Sequence, residues 1–228
     1  MISAGYRPDM TSVDRQCACN SPAPLQAPAQ REIYLIRHGE TAWSLTGQHT
    51  GRTDLPLTEG GEGQARRLRG RLGAATFEHV FSSPLQRARR TAELAGFADL
   101  IVIDPQLAEW NYGDYEGRTS ADIRRSRPEW DLFRDGCPGG ESVSDVTERV
   151  DAIAFRLHML AGRVLIFSSG HVLRALAARW LQAPTELGRG LALDPACVSV
   201  LGYDHGESDR VIRLWNDSHR DDRAGFGS

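Results

Sequence analysis

Lysine is missing from this chain of 228 residues: all 27 basic residues other than histidine are arginine. That absence excludes lysine Schiff-base chemistry and ammonium clamps on phosphate, so any anion site must be built from Arg, His or backbone N–H groups. Cysteine is scarce. Of the four (Cys17, Cys19, Cys137 and Cys197), the Cys17-Ala18-Cys19 pair has no second pair at zinc-site spacing, so free thiols and no bound metal are expected. No apolar run approaches the ~20 residues that span a bilayer. The N-terminus lacks the basic segment and apolar core of a secretory signal. These absences lead to the expectation of a soluble, cytoplasmic protein, and a formal net charge of −3 gives no reason to expect nucleic acid as a partner.

What is present is ordinary for a globular domain, with 40% hydrophobic and 25% charged residues. Residues 1–30, rich in Pro, Ala and Gln, carry neither helical nor strand periodicity and read as a disordered extension. From Arg31 the pattern alternates. Strands are expected at 31–36, 80–81, 101–103, 164–167, 196–202 and 211–215. Helices are expected from an N-cap at Thr58 to Leu72, and over 85–95, 119–127, 142–161 and 171–181. The alternation predicts one three-layer α/β/α domain over 31–220 with a mostly parallel central sheet, followed by a tail at 221–228. The run Val164-Leu165-Ile166-Phe167 is apolar on both faces, as a central parallel strand would be.

Two of the apolar strands end in small-residue turns that carry a histidine, Arg37-His38-Gly39 and Ser169-Gly170-His171. Ligand sites of open α/β sheets gather at the carboxyl ends of the strands, so adjacent parallel strands would bring His38 and His171 together. A third segment, Ser83-Pro84-Leu85-Gln86-Arg87, leaves a strand and opens a helix, where Arg87 and the first amides can face an anion. The fourth is the loop from Glu109 through Trp110, Tyr112 and Gly113 to Gly117, in which Glu109 is the candidate general acid.

Taken in order, these four motifs resemble the histidine phosphatase superfamily, the phosphoglycerate-mutase-like proteins, over residues 31–217. Trp43 to Thr58, the acid loop and Phe133-Arg134-Asp135-Gly136-Cys137 resemble the branch that holds sedoheptulose-bisphosphatase-type enzymes. The resemblance implies a phosphomonoesterase in which His38 takes the phosphoryl group as a phosphohistidine. Arg37, Arg87 and His171 would hold its oxygens and Glu109 would protonate the leaving alcohol. Arginine and a protonated His171 would then supply the electrostatics without metal or cofactor. Arg37 beside His38 is expected to depress the imidazole pKa.

Two departures shape the expectation. Where many members have an asparagine phosphate contact, this chain has Ser44. Lysine is absent, and only residues 118–140 separate the acid loop from the next helix, so the cap formed around 110–140 is small and favours hydrolysis over mutase chemistry. Gln48, His49, Thr50, Gly51, Tyr112 and Arg134 are candidate substrate contacts. The expected partner is a small phosphorylated metabolite such as a sugar phosphate or bisphosphate, and a homo-oligomer is admissible. The alternatives are a phosphoglycerate mutase, a phosphoprotein phosphatase and, more remotely, a non-catalytic anion-binding module.

Overall fold

The sheet order β3-β2-β4-β1-β5-β6 places the two histidine-bearing strands side by side. In a computed structural model, which describes Met1 and residues 31–206 and 208–218, the strands are β1 (Ile33–Arg37), β2 (His79–Ser82), β3 (Ile101–Ile103), β4 (Val164–Ser168), β5 (Val198–Tyr203) and β6 (Arg210–Asp217). The first four are mutually parallel, while β5 runs antiparallel to β1 and to β6. Apart from Met1, the expected extension at 1–30, with Cys17 and Cys19, lies outside the described residues, as does the tail at 221–228.

Alternation along the strands makes the layers. Ile33 and Leu35 of β1, with Val164 and Ile166 of β4, face a core shared with helices α6 (Val143–Met159) and α7 (Gly170–Trp180). Ile36, Leu165 and Phe167 face the opposite core, packed on α2 (Glu59–Leu72) and α3 (Gln86–Ala92). All five residues of β4 are buried, as a central strand covered on both faces requires. Among the described residues no helix is long and apolar enough to cross a membrane.

Local chemistry sets the helix ends. Thr58 caps α2 by accepting from Gly61 N, and acids in the first turn with arginines in the last complement the helix dipole. Ser142 and Asp145 form a capping box that starts α6 at Val143. The helix expected over 85–95 is shorter: α3 ends at Ala92 and continues as a π-helical turn broken at Gly96, whose φ is 98°. Two short helices were not foreseen, α1 (Ala42–Thr46), boxed by Thr41 and Ser44, and α5 (Leu132–Asp135), capped by Asp131. With α4 (Ser120–Ser126), α5 forms the small cap, whose Trp130 and Phe133 are buried.

One backbone contact fixes the turn after β1. A Cβ on Gly39 would lie 2.5 Å from the carbonyl oxygen of Gly61, and one on Gly61 would lie 2.1 Å from that of Glu40. Glycine at both positions lets the start of α2 rest against the Arg37-His38-Gly39 turn.

Candidate active site

Register carries the site. Arg37 pairs with Ser168 across β1 and β4, and the amide of His38 donates to Ser168 O at 2.9 Å. The chain therefore emerges at His38 and at Ser169-Gly170-His171 from the same edge of the sheet. A cavity of about 220 Å³ opens there. Of the residues expected at the site, Arg37, His38, Ser44, Gln48, His49, Thr50, Glu109, Tyr112 and His171 line it.

His38 is only 4% exposed, and its Nδ1 lies 2.7 Å from the carbonyl oxygen of its neighbour Gly39. A carbonyl can only accept, so the proton sits on Nδ1 and the lone pair on Nε2. Burial first, then the positive charges of Arg87 and Arg37, hold this imidazole well below its ordinary pKa. The ring is thus neutral with a free nitrogen lone pair, the state a nucleophile needs. The turn is tied to α3: Gly39 N donates to Thr91 Oγ1 at 3.0 Å, and that hydroxyl donates to Arg87 O at 2.7 Å.

The two flanking arginines share an unusual feature. Arg87 is fully buried and donates to the carbonyls of Thr50, Gly51 and Thr53, yet its Nε has no partner. Arg37 donates to Leu193 O and packs its guanidinium against Gly170, and its Nε is likewise buried and unpartnered. A buried N–H without an acceptor is costly, so each guanidinium keeps an unused donor near His38. Arg87 does not line the cavity itself; it holds the 50–53 loop through its carbonyl contacts.

Glu109, 7% exposed, turns its carboxylate onto the first turn of α7. Oε1 accepts from Trp110 N at 2.9 Å and Val172 N at 2.8 Å, and Oε2 accepts from His171 N at 2.9 Å. Ser169, at the N-cap position of α7, makes no side-chain cap, so Glu109 supplies it from another part of the chain. Oε1 has both lone-pair positions engaged and Oε2 only one, so a transferable proton has its place on Oε2.

His171 corrects an expectation. Burial first, then the charges of Arg174, His49 and Arg37, push it well below its ordinary value, so the ring is neutral rather than the expected imidazolium. Its Nδ1 lies 2.6 Å from the hydroxyl of Tyr112. Burial and the nearby Glu109 raise the Tyr112 phenol, which keeps its proton and donates it to Nδ1. That bond leaves the hydrogen of His171 on Nε2 as a donor. Tyr112 therefore orients a histidine, a role that its expected place as a substrate contact did not anticipate.

Other expected contacts divide. Ser44 lines the cavity, but its hydroxyl accepts from Thr41 N and donates to Thr41 O within the α1 capping box, so its donor is engaged locally. The Gln48 amide donates to Gly117 O, and Thr50 supplies a carbonyl to Arg87. Gly51 lies outside this cavity: a Cβ there would meet Trp110 O at 2.6 Å and Glu116 Oε2 at 2.7 Å, which makes it a packing glycine. Arg134 is also absent, engaged with Asp135 and Glu129 O on the surface. Arg174 takes its place in the wall, three residues after His171 on α7. That spacing puts both on one helix face, the signal that could have found it. His49, its ring centre 4.7 Å from that of Tyr112 and tilted by 35°, is lowered to about 4, mainly by burial.

The chain belongs to the histidine phosphatase superfamily (branch 1), whose family model matches residues 33–218. It is a phosphatase of that superfamily. Among curated relatives it is 43% identical over 178 residues to an acid phosphatase of Mycobacterium tuberculosis, covering 76% of this chain and 87% of the relative. It is 37% identical over 203 residues to sedoheptulose 1,7-bisphosphatase of Saccharomyces cerevisiae (73% and 70% covered). It is 33% identical over 184 residues to a probable phosphoglycerate mutase GpmB of Photorhabdus laumondii (76% and 86% covered). The solved structure of the Rv3214 product of Mycobacterium tuberculosis superposes with a TM-score of 0.78 at 39% identity, covering 82% of this chain and 98% of that one.

Proposed function

We propose that this phosphatase hydrolyses a small phosphorylated metabolite, a sugar phosphate or bisphosphate, through a phosphohistidine on His38, without metal or cofactor. The observation that carries the reading is the neutral His38, with its lone pair on Nε2, between two arginines whose buried Nε atoms lack partners. In the first step His38 Nε2 forms a bond to phosphorus as the bond to the ester oxygen breaks. Glu109 gives its Oε2 proton to that oxygen, and the alcohol leaves. In the second step water attacks phosphorus and passes a proton back to Glu109. The P–N bond breaks, phosphate departs and His38 is neutral again. Arg37 and Arg87 match the two negative charges of the phosphoryl group, and His171 Nε2–H is a further donor to its oxygens.

Turnover of an aryl phosphate with a chelator present tests the reading. The expected result is steady phosphate release by the native chain and none by His38→Ala. Retained turnover without His38, or loss of activity to the chelator, would overturn it.

The mutase named among the relatives supports a second reading, transfer of the phosphoryl group back to the organic product. Phosphoglycerate isomerisation faster than phosphate release would establish that reading instead. The absent lysine and the short cap favour water as the acceptor.

A further inference from the structure

Arg37 is held by a loop that the last strand braces. The 191–197 loop meets the catalytic turn at two points: Leu193 O accepts from the Arg37 guanidinium, and Ala196 N donates to Arg37 O at 3.0 Å and to His38 O at 3.2 Å. Among the described residues Leu193 O is the only hydrogen-bond acceptor of that guanidinium. Two consecutive residues of β6 fasten the loop on either side of Leu193. Trp215 Nε1 donates to Ala192 O at 2.6 Å. Asn216 Oδ1 accepts from Asp194 N at 2.6 Å, and Asn216 Nδ2 donates to Asp194 Oδ2 at 3.3 Å.

Successive residues of a regular strand point to opposite faces, so 215 and 216 could not both reach one loop from a regular strand. β6 is irregular at this place. Val198 pairs with Asp217 and Val200 with Leu214, so Trp215 and Asn216 together stand against Ser199. In this β-bulge Asn216 has a φ of 55° and gives its N–H to Ser199 Oγ at 3.0 Å. A left-handed backbone is costly for most residues, and asparagine is among the few that tolerate it. What the bulge achieves is an amide side chain aimed at the loop. We propose that Asn216 is a positioning residue for phosphoryl transfer, whose pair with Asp194 holds Leu193 O where it fixes the Arg37 guanidinium beside His38. This inference rests on the phosphatase reading and extends it to a residue outside the cavity. Asn216 does not line the cavity, so its effect passes through Leu193 and Arg37. A small displacement of Leu193 moves the cation that must match the phosphoryl charge.

The test measures phosphate release from para-nitrophenyl phosphate and, apart from turnover, the binding of inorganic phosphate by calorimetry. Asn216→Asp keeps an acceptor for Asp194 N but sets two carboxylates against each other. It is expected to lower kcat/KM and to weaken phosphate binding, each about tenfold, as for one lost hydrogen bond to a charged group. Asp194→Asn combined with Asn216→Asp reverses the pair: an amide at 194 donates to a carboxylate at 216, and both hydrogen bonds return. The double variant is expected to recover both readouts to within about threefold of the native values, a rescue that a merely structural role would not produce. Asn216→Gly, which adopts the left-handed backbone freely and removes the side chain, is expected to show the same losses as the single aspartate variant. It also keeps the test open if that variant does not fold. Native kcat/KM and phosphate affinity in Asn216→Gly, or a folded double variant no better than Asn216→Asp, would overturn the assignment. A native chain that binds phosphate but releases none from the ester would instead overturn the phosphatase reading, and the binding comparison would still decide the role of Asn216.

Discussion

The Oε2 atom of Glu109 lies 2.9 Å from the amide nitrogen of His171, so the candidate acid caps the helix that begins at the second histidine. One carboxyl group thus joins the acid loop, the first turn of α7 and the cavity. Moving Glu109 would also move His171.

This double duty separates two substitutions. Glu109→Ala should lower kcat by about 10²–10⁴-fold and also destabilise the fold by about 1 kcal/mol, the usual cost of a lost N-cap. Glu109→Gln should lose comparable activity while keeping much of the stability, because its carbonyl oxygen still accepts from the helix amides. Kinetics and denaturant titration on the pair decide the matter. An alanine variant as stable as the native chain would remove the capping role.

Tyr112→Phe tests the orientation of His171. Deleting the hydroxyl removes the donor to Nδ1, which favours the neutral ring, so the His171 pKa should rise toward its ordinary value. The fall in kcat should be about tenfold, as for one lost hydrogen bond in a buried site. Nitrogen NMR of the imidazole across pH reads the protonation directly. A His171 titration unchanged by the substitution would contradict the assignment.

Three histidines held neutral in the fold predict how stability depends on pH. His38, His49 and His171 are each depressed from an ordinary value of 6.5, burial being the largest cause in every case. The unfolded chain binds protons at these positions below pH 6.5 while the folded chain does not, so stability is full above 6.5 and is lost as pH falls. Each histidine contributes a slope of about 1.4 kcal/mol per pH unit. For His49 the window closes near its folded value of about 4. Chemical denaturation at pH 7, 6 and 5 should show this decline, and His49→Gln should reduce its slope by about a third. A stability flat between pH 7 and 5 would contradict neutral histidines in the folded chain.

Ser44→Ala distinguishes a helix cap from a phosphate contact. With its hydroxyl engaged by Thr41, the loss should fall on stability, about 1 kcal/mol, with kcat/KM changed less than about threefold. A large rise in KM at unchanged stability would restore Ser44 to phosphate binding.

The sheet was legible because its signals are long and apolar. β1 and β4 stand out as runs that end at histidines, and their adjacency follows from topology alone. Thr58 and Ser142 mark the starts of α2 and α6 by side-chain chemistry that operates within three residues. α1 and α5 escaped because four or five residues carry no periodicity, only the caps at Thr41 and Asp131. The wall of the pocket was harder still. The Tyr112–His171 bond joins residues 59 apart in sequence. The substitution of Arg174 for Arg134 depends on how the cap folds back. Gly51 misled because a loop glycine beside a candidate site looks the same whether it admits a ligand or a neighbouring carbonyl. The neutral state of His171 escapes the sequence because desolvation and the charges of Arg174 and Arg37 converge on the ring only in space.

The account rests on covalent transfer to His38, and rapid quenching of the native chain during turnover tests that most directly. Intact-mass and peptide analysis should find one phosphoryl group on His38, stable in base and released by acid, forming and decaying at rates that match turnover. It should be absent from His38→Ala. Full-rate turnover with no such adduct, or an adduct on another residue, would contradict the mechanism.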